Sequence, residues 1–181
     1  MDLVRTSRRI SRVLRHAPQP VGLTLDRAGW VSVGDLLDAL ARHGTTVTRD
    51  ELEQVVAGND KQRFELDLTS DRIRARQGHS VPVDLDLDPA VPPAVLFHGT
   101  PKGNVAAITR EGLVRGARHH VHLSPDRQTA QRVGERRGRA AVLEVDAAGM
   151  TREGFVFFVT GNGVWLTDAV PPRFVSVPSE R

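Results

Sequence analysis

The sequence predicts an α+β protein of two lobes, the first built from three helices and a β-hairpin and the second from a mostly antiparallel sheet with few helices. Apolar residues recur at helical spacing early in the chain, whereas later apolar runs are short and rich in β-branched and aromatic residues. Between them, residues 81–94 combine prolines with aspartates and lack a helical period, which predicts an extended connector. We therefore expect lobes at residues 1–80 and 95–181.

The composition is typical of a folded protein, with 181 residues of which 39% are hydrophobic. Cysteine is absent, which excludes a disulfide framework, a thiolate zinc site and a cysteine nucleophile and agrees with a reducing compartment. Arginines interrupt the N-terminal segment, and no apolar run approaches the length of a membrane span. We expect a cytoplasmic protein that does not associate with membranes.

The basic residues are strongly biased, since only Lys61 and Lys102 among 25 are lysines and the others are arginines. Guanidinium groups bind phosphate oxygens in pairs, so the bias suits a phosphate-rich partner. A GC-rich coding sequence also favours arginine without any function, and a net charge of +3 is modest for a pure nucleic-acid-binding protein. Composition alone leaves both interpretations open.

The first lobe is predicted to contain three helices. Residues 3–15 form an amphipathic helix with a basic face, and residues 34–43 form a second helix that a glycine ends. A third helix follows Thr48, which makes a capping-box pattern with Glu51. The runs RFELDL and RIRAR then alternate around a Thr-Ser-Asp turn and indicate a hairpin. Three helices followed by a hairpin are typical of a winged-helix lobe.

The second lobe is predicted to be mainly strands. Helices are expected only at residues 104–110 and 124–136, the latter with Ser124 as N-cap and Pro125 at its first position. The predicted strands are AVLFH, VHLS, AAVLEVD, GFVFFVT, GVWLT and FVSV.

Two basic stretches in the first lobe could bind a phosphate. Arg15 and His16 close the first helix, where the pair could act as a phosphate clamp and a proton carrier; alternatively, both cations only complement the helix dipole. Arg63 opens the hairpin after an Asn-Asp turn signal and faces away from the apolar Phe64. A solvated arginine at a strand end is the alternative interpretation.

Two stretches in the second lobe also carry candidate residues. The tripeptide of His98, Gly99 and Thr100 ends a strand, where a glycine lets a ligand approach the backbone and where main-chain groups can recognise a carboxamide. The densest cluster is RHHVHLS, residues 118–124. Its alternating histidines could bind a metal, but no acidic or cysteine ligands accompany them, so a polyanion site beside Arg118 is favoured.

These stretches together resemble the tRNA 2′-phosphotransferase (KptA-type) family. The resemblance covers nearly the whole chain, in the same order and spacing. The motifs are SRVLRH at 11–16, GLTLDRAGWV at 22–31, KQRF at 61–64, IRARQGHS at 73–80, FHGT at 97–100, RHHVHLS at 118–124 and NGVWLT at 162–167.

The resemblance implies a winged-helix lobe followed by an ADP-ribosyltransferase-like, NAD-binding lobe. It also implies a reaction in which an internal 2′-phosphate of RNA is transferred to NAD⁺, which is consumed without help from a metal. The partners would be NAD and RNA bearing a 2′-phosphate, and we expect a monomer. The implied phosphate ligands and catalytic residues are Arg15, His16, Arg63 and Arg118. The implied NAD ligands are His98, Gly99, Thr100, Asn104, His122 and Ser124.

The sequence departs from the family pattern at Arg76, where a smaller polar residue is expected, while Gln77 and His79 keep the pattern. Their roles stay open. Two other functions also remain possible, namely an ADP-ribosyltransferase that caps terminal phosphates of RNA or DNA, and a winged-helix module that binds nucleic acid without catalysis. The segment around Gly163 lacks the glutamate of protein-modifying ADP-ribosyltransferases, which argues against modification of proteins.

Overall fold

The computed structural model describes residues 2–58 and 62–178. The turn signal at Asn59 and Asp60 and the first residue of the KQRF motif, Lys61, lie outside the described residues. The chain divides into two compact units between Asp86 and Leu87, within the segment predicted as a connector. In the described part, no helix has the length and apolar character needed to cross a membrane.

The helices of the first unit begin and end close to the predicted positions. They are α1 (Leu3–Arg15), α2 (Val33–Arg42) and α3 (Arg49–Ala57). The predicted capping box is confirmed, because the Thr48 hydroxyl accepts from the amide of Glu51 while the Glu51 carboxylate accepts from the amide of Thr48. The second helix starts one residue earlier than predicted, because the hydroxyl of Ser32 caps it.

The sheet of the first unit contains the predicted hairpin, formed by two antiparallel strands that come after α3 in the chain. A short strand before α2 completes the sheet. This short strand was not predicted, because two residues are too few to show alternation. The strands are β1 (Val31–Ser32), β2 (Phe64–Asp67) and β3 (Arg72–Ala75). Their order in the sheet is β1-β3-β2.

The core of the first unit lies between the three helices and one face of the sheet. Ile10 and Leu14 of α1, Leu36 of α2 and Ile73 of β3 are completely buried there. Burying such side chains stabilises the fold by about 1.5–3 kcal/mol each. The apolar stripe of α1 therefore faces the core, and four of its arginines are left exposed, while Arg15 at its end is half-buried.

All strand pairs described in the second unit are antiparallel, as predicted. The elements are β4 (Val95–Pro101), α4 (Val105–Glu111), β5 (Leu113–Val114), β6 (Val121–Leu123), α5 (Arg127–Gly134), β7 (Ala140–Asp146), α6 (Ala147–Arg152), β8 (Phe158–Val159), β9 (Trp165–Thr167), β10 (Ala169–Val170) and β11 (Val175–Ser176). The strands form sheets of order β11-β7-β4, β6-β9-β8 and β10-β5.

Two helix predictions in this unit are wrong. Ser124 does not cap α5; the cap is Asp126, whose carboxylate accepts from the amide of Thr129 at 2.7 Å. The main chain of Ser124 instead pairs with Phe97. The helix α6 was not predicted, because a glycine inside it lowers helix propensity, yet the Asp146 carboxylate caps its first turn at 2.7 Å.

The segment predicted as a connector, residues 81–94, contains no helix, and contacts hold its two halves. Asp84 pairs with Arg27 in the first unit at 2.8 Å. In the second unit the amide of Ala90 donates to the carbonyl of Phe157 at 2.8 Å, beside a bridge between Pro89 and Phe158. Each half is therefore fastened to the unit that it adjoins.

Candidate active site

The first unit places Arg15 and His16 where α1 ends. His16 is the C-cap, and the chain leaves the helix at the following Ala-Pro sequence. Ser80, which follows the hairpin, returns to this point: its hydroxyl lies 2.9 Å from Nδ1 of His16, and its amide donates to the carbonyl of Arg15 at 2.9 Å. A loop distant in sequence therefore fixes the end of the helix and the imidazole ring.

The backbone around Arg63 is fixed by two other arginines. Its carbonyl accepts from the amide of Arg76 at 2.9 Å and makes a longer contact of 3.5 Å with Nη2 of Arg15. The guanidinium of Arg76 donates to the carbonyl of Phe64 at 3.1 Å. Arg76, the departure from the family pattern, thus holds the main chain of Arg63 and of Phe64, the first residue of β2. The three phosphate ligands expected in the first lobe, Arg15, His16 and Arg63, are brought together in this unit.

The residues between Arg76 and Ser80 contribute packing. The side chain of His79 is buried, with 2% of its surface exposed. Gly29 of the GLTLDRAGWV motif packs beside this ring, since a Cβ there would lie 3.4 Å from Nε2 of His79, and its φ of +82° favours glycine. Gln77 is half-buried. Sequence reasoning gave Ser80 no role, although the residue closes the IRARQGHS motif, and its contact with His16 becomes visible only in the folded chain.

In the second unit, a bridge between two strands joins the two motifs that sequence reasoning selected. The amide of Phe97 donates to the carbonyl of Ser124 at 2.9 Å, and the amide of Ser124 donates back at 2.7 Å. This bridge pairs β4, which carries His98, with the end of β6, which carries His122. The predicted NAD ligands His98, His122 and Ser124 therefore lie side by side.

A chain of hydrogen bonds links three of the predicted residues. The guanidinium of Arg118 lies 3.2 Å from Nδ1 of His122, and the carbonyl of His122 lies 3.1 Å from Nδ1 of His98. A guanidinium only donates, so Nδ1 of His122 accepts and its ring proton sits on Nε2. A carbonyl only accepts, so Nδ1 of His98 carries a proton. The bonds fix both imidazole orientations.

The electrostatics of His98 favour a neutral ring. Burial lowers the pKa of His98 from its ordinary value, the bond to the carbonyl of His122 opposes this effect, and the nearby charge of Arg118 lowers the pKa further. With its proton on Nδ1, the neutral ring presents Nε2 as a hydrogen-bond acceptor. Such an acceptor suits a ligand hydroxyl group.

The remaining residues of the HGT motif are held by packing. The hydroxyl of Thr100 is 3.2 Å from Nδ2 of Asn104, and Thr100 is buried, with 3% exposed. Gly99 has no room for a side chain, since a Cβ there would lie 1.7 Å from the carbonyl oxygen of Ala130 in α5. Sequence reasoning attributed this glycine to the approach of a ligand; the close packing of α5 is a separate reason that the structure supplies.

The middle histidine of the RHHVHLS stretch, His120, has different surroundings from His122. His120 lies edge-on to the ring of Phe158, with centroids 5.7 Å apart, and its Nε2 is 3.8 Å from the carboxylate of Asp168. Burial lowers the pKa of His120 and the charge of Asp168 opposes this. Among the residues that the structure describes, no three histidine, aspartate or glutamate side chains form a group that could hold a metal ion.

Comparisons with known proteins cover both units. The family model described as RNA 2′-phosphotransferase, Tpt1 / KptA family, matches residues 1–169. The chain is 59% identical to a probable RNA 2′-phosphotransferase of Streptomyces griseus subsp. griseus over 179 residues, covering 95% of each protein. It is 54% identical to the protein of the same name in Streptomyces coelicolor, covering 97% of this chain and 96% of the relative. The corresponding protein of Trichormus variabilis is 50% identical, with 95% and 94% covered.

Proposed function

Since this chain belongs to the Tpt1 / KptA family of RNA 2′-phosphotransferases, we propose that it transfers an internal 2′-phosphate of RNA to NAD⁺. The products are RNA with a 2′-hydroxyl, nicotinamide and ADP-ribose 1″,2″-cyclic phosphate. The observation that carries the proposal is that the family match spans both units and includes both clusters of candidate residues.

In the first step a 2′-phosphate oxygen attacks C1″ of the nicotinamide-bearing ribose. The C1″–N bond breaks, and nicotinamide leaves with the electron pair of that bond. Arg15, His16, Arg63 and Arg118 hold the phosphate, because guanidinium forks bind its oxygens in pairs and offset charge that moves in the transition state. This step depends on holding the nucleophile in line with the ribose, so orientation is a main contribution of the protein.

In the second step the neighbouring ribose O2″ attacks the phosphorus, and the bond from phosphorus to the RNA O2′ breaks. The proton lost from O2″ is balanced by the proton that O2′ gains. We assign this transfer to His16, because imidazole titrates in the range that general acid-base catalysis requires. Ser80 orients the ring through its bond to Nδ1, so Nε2 is the nitrogen that we assign to the transfer.

The residues of the second unit fit a nicotinamide riboside. Nε2 of neutral His98 can accept a ribose hydroxyl, while the ring proton on Nε2 of His122 can donate. Ser124 directly follows β6, and Thr100 holds Asn104 beside the end of β4. We assign NAD⁺ to these residues and to the main chain of Gly99.

The arrangement of elements supports the proposed folds of the two units. A helix, a short strand, two further helices and a hairpin follow one another in the first unit, and this is the order of a winged helix. The second unit is built of antiparallel sheets with α4, α5 and α6, which agrees with an ADP-ribosyltransferase-like lobe.

The proposal is tested by incubating the protein with an oligoribonucleotide that carries one internal 2′-phosphate, with and without NAD⁺, and by resolving all products. We expect nicotinamide, the cyclic phosphate and dephosphorylated RNA in equal amounts, only when NAD⁺ is present. ADP-ribose that stays attached to a terminal phosphate would instead indicate a capping transferase. Binding of the RNA without release of nicotinamide would indicate a non-catalytic binding module.

A further inference from the structure

A groove of about 520 Å³ lies between α1 and α3 in the first unit, and we call it the α1–α3 groove. One wall is α1, chiefly through Arg8 and Arg12, and the other is α3, through Gln54. His16 and Arg63, two of the proposed phosphate ligands, also line this groove. It therefore leads away from the place where the 2′-phosphate is proposed to bind.

The charge of the α1–α3 groove suits a polyanion. Arg8, Arg12 and His16 recur every fourth residue, so they form one stripe along α1 with steps of about 6 Å. No lining residue in the described part of the chain is acidic. Two guanidinium groups spaced along one helix offer more than one contact, which fits a chain of phosphates better than a single phosphate.

The same groove also presents apolar and hydroxyl groups. Leu3 and Val4 line it and remain 43% and 61% exposed, although the other face of α1 is buried in the core. Ser7 and Ser11 line the groove between these apolar residues and the proposed phosphate ligand His16. Apolar surface beside cations and hydroxyl groups matches a single strand, whose bases and sugar-phosphate chain require both kinds of contact.

We propose that the α1–α3 groove binds the RNA strand that flanks the 2′-phosphorylated nucleotide. The flanking phosphates contact Arg8 and Arg12, and a base packs on Leu3 and Val4. This inference rests on the proposed function, which it deepens by giving the enzyme a binding track beyond the reacting nucleotide. The track makes a longer RNA a better substrate than a dinucleotide that carries the same 2′-phosphate.

The test compares two double variants that remove equal charge from the same helix. Arg8→Gln/Arg12→Gln changes the groove, whereas Arg5→Gln/Arg9→Gln changes exposed arginines of α1 that do not line it. Glutamine has nearly the helix propensity of arginine, so both variants should fold. Each is assayed on a 2′-phosphorylated dinucleotide and on ten-nucleotide RNAs extended on the 5′ side or the 3′ side of the 2′-phosphate.

We expect the groove variant to raise KM for an RNA extended on at least one side. Its kcat, and its KM for the dinucleotide, should stay unchanged. The slope of log KM against log salt concentration should fall by about 1.4, since each phosphate contact on a single strand contributes about 0.7. The matched variant should behave like the parent protein. Equal effects of the two variants, or no effect of chain length in the parent protein, would overturn the proposal.

Failure of this inference can be distinguished from failure of the proposed function. If the protein released no nicotinamide from any substrate, the groove would still be tested by fluorescence anisotropy with a ten-nucleotide RNA that lacks a 2′-phosphate. Weaker binding by Arg8→Gln/Arg12→Gln than by Arg5→Gln/Arg9→Gln would support the track. Equal binding by the two variants would refute it.

Discussion

Gly99 of β4 and Gly134 of α5 approach each other so closely that neither position has room for a side chain. A Cβ on Gly99 would lie 2.9 Å from the amide nitrogen of Gly134, and a Cβ on Gly134 would lie 3.0 Å from the amide nitrogen of Thr100. The two glycines thus allow β4, the strand that carries His98, to pack closely against α5. The position of the predicted NAD ligands therefore depends on this contact.

Replacing Gly99 with alanine is expected to destabilise the second unit. The new methyl group would meet the carbonyl oxygen of Ala130 at 1.7 Å, so the strand or α5 must move. Such overpacking costs about 1–3 kcal/mol, and occasionally more. Gly103→Ala is the matched control, because a Cβ there meets nothing within 4 Å. Thermal unfolding followed by calorimetry makes the comparison, and equal midpoints for the two variants would contradict the packing argument.

The pH dependence of stability is expected to report the neutral state of His98. Burial lowers the pKa of His98 in the folded protein, so below about pH 6.5 the unfolded chain binds a proton that the folded chain does not. Acidification through this window should therefore favour unfolding. His98→Gln removes the titrating group, so its free energy of unfolding should fall less than that of the parent protein between pH 7.5 and pH 5.5.

A direct check uses the ring nitrogens. In a ¹⁵N spectrum of histidine-labelled protein at pH 7, we expect His98 as a neutral ring with its proton on Nδ1. A protonated His98 at that pH would show that burial does not govern its charge.

Sequence reasoning found the elements that local signals define. The helix α1 and the capping box at Thr48 depend on residues within one or two turns, and both were predicted correctly. It missed β5 and β10, because two-residue strands are defined only by pairing Leu113 with Val170 across the chain. The prediction that Ser124 caps α5 was wrong for the same reason, because Ser124 pairs with Phe97, which is distant in sequence.

In the candidate site too, local sequence identified single residues but not the contacts between distant ones. Motifs identified His98 and His122 individually, but the bond between them arises because β4 and β6 meet, which no local spacing encodes. Ser80 was overlooked because its contact with His16 spans 64 positions of sequence.

Arg118 is expected to need its planar fork. Arg118→Ala should lower kcat/KM by about a hundred- to a thousandfold, the usual cost of removing a donor that stabilises developing charge. Arg118→Lys should recover little, because lysine keeps the charge but cannot bind phosphate in a fork while donating to His122. Arg115→Ala is the control, an exposed arginine three residues earlier in the same loop. The measurement is steady-state kinetics on a 2′-phosphorylated RNA. Near-parental kcat/KM for Arg118→Lys would show that bidentate binding by the guanidinium is not required.

Ser80 is expected to act through His16 as a positioning residue. Ser80→Ala removes the hydroxyl that lies 2.9 Å from Nδ1 of the ring and leaves the main-chain bond to Arg15. We expect kcat to fall in the parent protein but to change little when His16 is already alanine, because the two losses share one cause. Additive losses would show that Ser80 acts independently of His16. Ser70→Ala, in the hairpin turn beside Asp67, controls for loss of a serine elsewhere in the unit.

His16 is expected to serve the second step more than the first. General acid-base catalysis typically contributes about a hundred- to ten-thousandfold, so His16→Ala should slow the attack of O2″ and let ADP-ribosylated RNA accumulate. If His16 only bound the phosphate, the first step would slow and no intermediate would accumulate. Rapid-quench sampling, with the intermediate counted against substrate and product over time, separates these outcomes.

The matched control for this last experiment is His43, because both histidines are C-caps of helices, His16 of α1 and His43 of α2. If His16 only complemented the helix dipole, His16→Ala and His43→Ala would both lower stability by a fraction of a kcal/mol to about 1 kcal/mol and leave both steps unchanged. We expect the kinetic defect in His16→Ala alone. Unchanged rates for both steps in that variant would remove His16 from the catalytic residues and assign it to the helix end.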